Sequence, residues 1–285
     1  MTLFGPAGTA DSFKAMGYKN TLQIADYLEK FGLTRFEYQC GRGVRIDSEK
    51  AGQIGEKLRE KNIAVSLHRP YFISMSSIDE EKRLNSVNYI LQSAEALNAM
   101  GGKRIIFHPG SRGKITREEA MTKALNTIEK MVAALDEKGY GNMHICPETM
   151  GKINQLGSLE EVLTLCKTDK RIIPCIDFGH LNARTAGGIK GKDDYLRIVD
   201  RINEALQDDR FRHFHAHFSK IEYTKGGEKK HLTFEDDVWG PEFEPLMNVL
   251  YENNLSPTII CESAGTQSED AAAMKRYLEA LYEQN

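Results

Sequence analysis

Eight times along the chain a short apolar run gives way to a longer, charged amphipathic stretch. This alternation constrains the fold more than any other feature of the sequence. The short runs are Leu3–Gly5, Arg35–Tyr38, Ala64–His68, Arg104–His108, Met143–Glu148, Ile172–Asp177, Phe211–His215 and Thr258–Glu262. Helical patterns fill about 20–31, 48–61, 80–99, 117–138, 158–166, 194–207, 242–253 and 268–282. Ser158 stands three residues before Glu161, and Thr116 three before Glu119, the spacing of a capping box at a helix start. Strand–helix alternation implies parallel strands joined by crossover helices. A count of eight points to a closed (β/α)8, or TIM, barrel. An open doubly wound sheet would place a Gly-rich phosphate turn after its first strand, and GPAGTADS is not one. The length of 285 residues agrees with one barrel, which takes roughly 250 residues. One α/β domain spanning residues 1–285 is therefore expected.

The charge balance narrows the partners. Lys and Arg number 38 against 41 Asp and Glu, a formal charge of −3. A generic non-specific nucleic-acid binder is basic overall, so any nucleic-acid contact here must be local. No apolar run approaches the ~18 residues of a membrane span. The opening MTLFGPAGTADSF lacks the basic-then-apolar pattern of a secretory leader. The five cysteines are odd in number and contain no CxxC pair, which favours reduced thiols. A cytoplasmic monomer with no membrane partner is expected.

The ends of the predicted strands carry the chemistry. They read His68, His108, Glu148, Asp177 (with His180 three residues on), His215 and Glu262. In a barrel these ends converge on one mouth, where active sites sit. Imidazoles and carboxylates crowded there would be costly to bury unpaired, and bound divalent cations remove that cost. Mixed His and carboxylate ligation suits Zn, Mn or Fe(II). His144 and His213 fall short of the mouth and are expected to be hydrogen-bonded core residues. The loops after the same strands hold Arg69, Arg112, Lys114, Arg117, Lys152, Arg184, Lys190, Lys192, Lys220, Lys225, Lys229 and Lys230. Their concentration on one face suggests an anionic substrate, with phosphate the obvious candidate.

The ordered series SLHRPYF, FHPGS, PETMGK, IDFGHLNA, HFHAHFSK, KKHLTF and ICESAG resembles the endonuclease IV family, the class II apurinic/apyrimidinic endonucleases. The resemblance covers nearly the whole chain. It implies a TIM barrel whose cluster of two or three metal ions, usually zinc, serves hydrolysis of the DNA backbone 5′ to an abasic site. It assigns His68 and His108 to a first metal, Asp177, His215 and Glu262 to a second, and Glu148 as a bridge that also orients the attacking water. His180 and His231 would hold a third. Tyr71 and Phe72 match the pair that enters the DNA at the lesion, and Arg42 is the nearest candidate for a backbone contact. The family places Asp two residues before the histidine matching His231, where this chain has Lys229. That departure leads us to expect two tightly held ions and a weak third, unless Glu228 or His217 supplies the missing ligand.

Two other readings fit part of the pattern. A xylose-isomerase-like sugar isomerase or epimerase would use one metal, with Glu148 and Glu262 as its acid–base pair. Such a site does not need His68, His108 or His231. A metal-bearing protein that binds damaged nucleic acid without cutting it is the other reading, motivated by Lys229.

Overall fold

The computed structural model describes residues 2–41, 43–69 and 73–284. Eight parallel strands close into a barrel: β1 (Leu3–Pro6), β2 (Arg35–Gln39), β3 (Ala64–His68), β4 (Arg104–Phe107), β5 (His144–Pro147), β6 (Cys175–Asp177), β7 (His215–Phe218) and β10 (Thr258–Cys261). Strands β2 to β5 pair in sequence order, as do β6, β7, β10 and β1. Single parallel bridges, Ala7 with Glu37 and Glu148 with Cys175, join the two halves. At the first of these seams the backbones approach closely. A Cβ on Gly5 would lie 1.8 Å from the Arg35 carbonyl oxygen, so only glycine fits there.

Helices cover the outside because their apolar stripes have no other place to go. They are α2 (Ile24–Lys30), α3 (Ser48–Glu60), α4 (Glu80–Met100), α5 (Arg117–Glu137), α6 (Leu159–Cys166), α8 (Lys192–Leu206), α9 (Glu244–Glu252) and α10 (Gln267–Glu283). Both predicted capping boxes form, with Thr116 and Ser158 each accepting the amide hydrogen bond three residues on. Two short helices, α1 (Asp11–Ala15) and α7 (Phe178–Arg184), and an antiparallel hairpin of β8 (Lys220–Thr224) and β9 (Gly227–Leu232) were not expected. No helix among the described residues is long and apolar enough to cross a membrane.

The main core lies between barrel and helices, whereas the barrel's interior is largely polar. Only a small apolar cluster of Ile106, Cys146, Ile173 and Cys175 sits apart from that core. Arg35 is buried and Arg104 half-buried near the lower end, where Arg104 donates to the carbonyls of His213 and Phe214.

One strand differs from its expected span in a way that matters. Residues 209–211 form a 3-10 turn capped by Asp208, so β7 starts at His215 instead of ending there. His215 is therefore not a strand end. His213 is not a core residue either. Its side chain is half exposed and pairs with Asp209 at 3.2 Å. His144 is half-buried at the start of β5.

Candidate metal centre

At the mouth, β3, β4, β5, β6, β7, β9 and the end of β10 bring their polar residues onto Glu148, which is 1% exposed. Glu148 Oε2 lies 3.1 Å from both His68 Nε2 and His108 Nε2. Its other oxygen lies 3.2 Å from His217 Nδ1 and 3.3 Å from His180 Nδ1. Among the described residues five overlapping groups of donor atoms stand within ligating reach. Three cover the mouth, namely His68, His108 and Glu148; Glu148, Asp177, His217 and Glu262; and His180, Glu228 and His231, while His68, His217 and Glu262 link the first two.

The second set corrects the sequence reading. His217, two residues further along β7, faces Glu148 and Glu262, while His215 is sealed one layer deeper against Glu37 at 3.0 Å. The misplaced strand end is the cause, because a shift of two residues keeps the same face but lowers the side chain by one layer of the barrel.

The third set brings in Glu228, one of the two residues named above as replacements for the missing aspartate. In a regular strand Glu228 and His231, three residues apart, would face opposite ways. A register shift in the hairpin pairs Glu222 with Lys230 and Tyr223 with Glu228, leaving Lys229 as an extra residue. The bulge returns Glu228 and His231 to one side, with Glu228 Oε2 3.4 Å from His180 Nε2. Lys229 turns away and pairs with Glu222 at 2.5 Å. Glu228 thus brings a carboxylate to this group, and Lys229 does not oppose it.

The hairpin is held against the loop after β5. Gly227 bridges to Lys152, Ile153 N donates to Gly226 O, and Glu228 N donates to Gly151 O. That loop is itself pinned through its carbonyls. Arg184 donates to those of Met150, Lys152 and Gln155, and Arg117 to those of Ile153 and Gln155.

Asp177 serves two structures at once. Its Oδ1 caps α7 by accepting from His180 N at 2.7 Å. Its Oδ2 lies 3.2 Å from His180 Nδ1, and Asp177 is one of the second set of donors. The electrostatics point the same way. Burial works against the Glu148 charge, yet the His217 and His108 imidazoles hold its carboxyl well below the usual range. Burial pushes Asp177 up, with Glu262 and Glu148 adding to the effect. His180 is pushed up to about 10 against the effect of burial, by Asp177 and Glu148. The imidazoles differ: against the effect of burial His68, like His180, is raised by Glu148, whereas burial lowers His108. Mixed sets of imidazole and carboxylate, brought together in a largely buried mouth, fit bound divalent cations.

The cationic loops divide into two kinds. Arg69 is buried and donates to the His108 carbonyl at 2.7 Å. Lys192 pairs with Glu252, Lys220 is buried on the Asp236 carbonyl and Glu242, and Lys230 joins Lys229 on Glu222. Arg112, Lys152 and Lys225 instead line an open groove of about 680 Å³. It shares Lys152 and Glu228 with the metal-site cavity of about 360 Å³. Arg42, Tyr71 and Phe72 lie outside the described residues.

A family model described as a xylose isomerase-like TIM barrel matches residues 25–284. The chain belongs to that family. A relative in Methanocaldococcus jannaschii, known only as an uncharacterized protein, is 32% identical and covers 98% of both chains. A probable endonuclease 4 of Acholeplasma laidlawii is 29% identical, over 55% of this chain and 55% of its own length. Endonuclease IV of Thermus thermophilus shares the fold with a TM-score of 0.66 at 20% identity, covering 94% of this chain and 96% of its own. A D-tagatose 3-epimerase-like protein shares it equally well, with a TM-score of 0.68 at 18% identity and coverage of 91% and 93%. The resemblance to endonuclease IV seen in the motifs is thus supported within the family, while the fold alone is common to nucleases and epimerases.

Proposed function

We propose that this protein is a metal-dependent phosphodiesterase that hydrolyses the DNA backbone on the 5′ side of abasic sites. The observation that carries the reading is the set of three donor groups, of which the first two share Glu148 and the third adjoins it through His180. A one-metal epimerase has no use for His68, His108 and His231, yet here each sits in a complete group.

His68, His108 and Glu148 would hold one zinc ion, Asp177, His217 and Glu262 with Glu148 a second, and His180, Glu228 and His231 a third. Manganese or iron(II) could take the same donors. Bound there, the ions would neutralise charge on the scissile phosphate and make water a competent nucleophile at neutral pH. The chain's own residues do the rest. Glu148, fixed by four imidazoles, orients the attacking water. Asp177, held by its cap on α7, adds a carboxylate to the second donor set. Arg112, Lys152 and Lys225 draw the flanking phosphates into the adjoining groove, which makes binding salt-sensitive. The cavity suits a sugar–phosphate unit, and a missing base lowers the cost of extruding it from the helix.

The test is nicking of a duplex with one abasic site by chelator-stripped protein before and after zinc is restored, beside an intact duplex and a ketohexose. Zinc-dependent cutting of the abasic duplex alone is expected. Epimerisation of the sugar without nicking would overturn the reading.

A further inference from the structure

Beneath the mouth, in the middle of β2, lies a carboxylate with no evident reason to be in a barrel. Glu37 is fully buried, between Phe36 and Tyr38 on the strand. Its Oε1 lies 3.0 Å from His217 Nε2, an ion-pair distance at which the ring is not aligned for a hydrogen bond. Its Oε2 lies 3.0 Å from His215 Nε2 and accepts a 2.9 Å hydrogen bond from Ser66 Oγ. Gln39 Nε2 donates to Oε1 at 3.4 Å.

A neutral imidazole carries its proton on one nitrogen only. A carboxylate facing Nε2 holds the proton there and leaves the Nδ1 lone pair facing outward. In His217, Nδ1 is the atom turned to Glu148 at 3.2 Å and to Glu262 at 3.6 Å. We infer that Glu37 is a positioning residue that fixes the tautomer and ring orientation of His217, and through it the affinity of the second donor group for a divalent cation. The inference rests on the mouth being a metal centre. A competing arrangement also exists one layer down, where Cys175, His215 and His217 stand within ligating reach. An ion there would engage His217 through Nε2 and leave the proton on Nδ1.

Two readouts on the full-length protein decide between them. In zinc-loaded, 15N-histidine-labelled protein, the ring shifts of His217 should show the proton on Nε2. A proton on Nδ1 overturns the inference, and this spectrum needs no variant. Zinc affinity is then measured by chelator competition. Glu37→Leu should weaken binding by about 10- to 100-fold, the usual effect of losing a carboxylate behind a ligating imidazole. Ser66→Ala, which leaves the Glu37–His217 contact in place, should retain parental affinity. Equal zinc affinity in the parent and a folded Glu37→Leu would overturn the role of Glu37 alone. A parent that takes up no zinc would overturn the metal centre itself.

Discussion

The third donor group depends on one glycine outside it. Gly227 adopts φ +94°, and a Cβ there would lie 2.1 Å from the Gly151 carbonyl oxygen. Gly227→Ala therefore meets two penalties. Holding a non-glycine residue in a sparsely populated backbone region costs about 1–3 kcal/mol. Separating the hairpin tip from the loop forfeits the Ile153–Gly226 and Glu228–Gly151 hydrogen bonds, at about 1 kcal/mol each. Those two costs are similar in size, but a Cβ cannot sit 2.1 Å from a carbonyl oxygen, so the docked tip must give way. Because the hairpin stands outside the barrel strands, the release is local, and the barrel should stay folded. Glu228 moves with the tip, leaving His180 and His231 as two neutral ligands for a cation that usually needs three protein donors. Elemental analysis after dialysis should find one zinc equivalent fewer than in the parent. Calorimetry should show a fall of only a few degrees, about 2–4 °C per kcal/mol for a chain of this size. Lys229→Ala should keep the parental zinc content, since Lys229 pairs with Glu222 away from the site. Full zinc retention by Gly227→Ala would refute the argument that docking of the tip places Glu228.

Glu148→Gln should preserve the fold while lowering turnover on abasic duplex by about 10²-fold or more, because it removes the charge that orients water; near-parental turnover at unchanged metal content would count against that role. Glu161 gives a pH prediction remote from the centre. Burial would raise its pKa, but Arg117 and the amides of Ser158 and Gly157 hold it below the ordinary carboxylate range. Its contribution is therefore complete above the unfolded value of about 4.3 and is lost as pH falls through the folded value. Glu161→Gln should cost about 2 kcal/mol at pH 7, and its gap to the parent should narrow below about pH 4 in denaturant melts.

Most of the barrel could be read from the sequence because its strands and helices obey different periods, and the two capping boxes marked helix starts correctly. What could not be read has physical causes. The run from Phe211 looks like strand, but Asp208 caps a 3-10 turn there by accepting from Arg210 N. Propensity does not register such a side-chain hydrogen bond, and the slip moved the ligand from His217 to His215. Bulges depend on pairing between strands, so the sequence left the choice between Glu228 and His217 open, and the register shift of the hairpin brings Glu228 beside His180 and His231. Glu37 was missed because one acidic residue in a short strand normally signals an exposed edge. The available signal was its position between two aromatics in a strand that a barrel buries on both faces.

The most direct test of the account is the chemistry at the cut itself. An end-labelled duplex with one abasic site at a known position would be treated with zinc-loaded protein and resolved at single-nucleotide length. Metal-assisted hydrolysis predicts one break immediately 5′ to the lesion, leaving a 3′-hydroxyl that a polymerase can extend. Loss of the break in chelator, and its return with zinc, should accompany that product. A break on the 3′ side, an end that cannot be extended, or cutting that persists without metal would contradict the account.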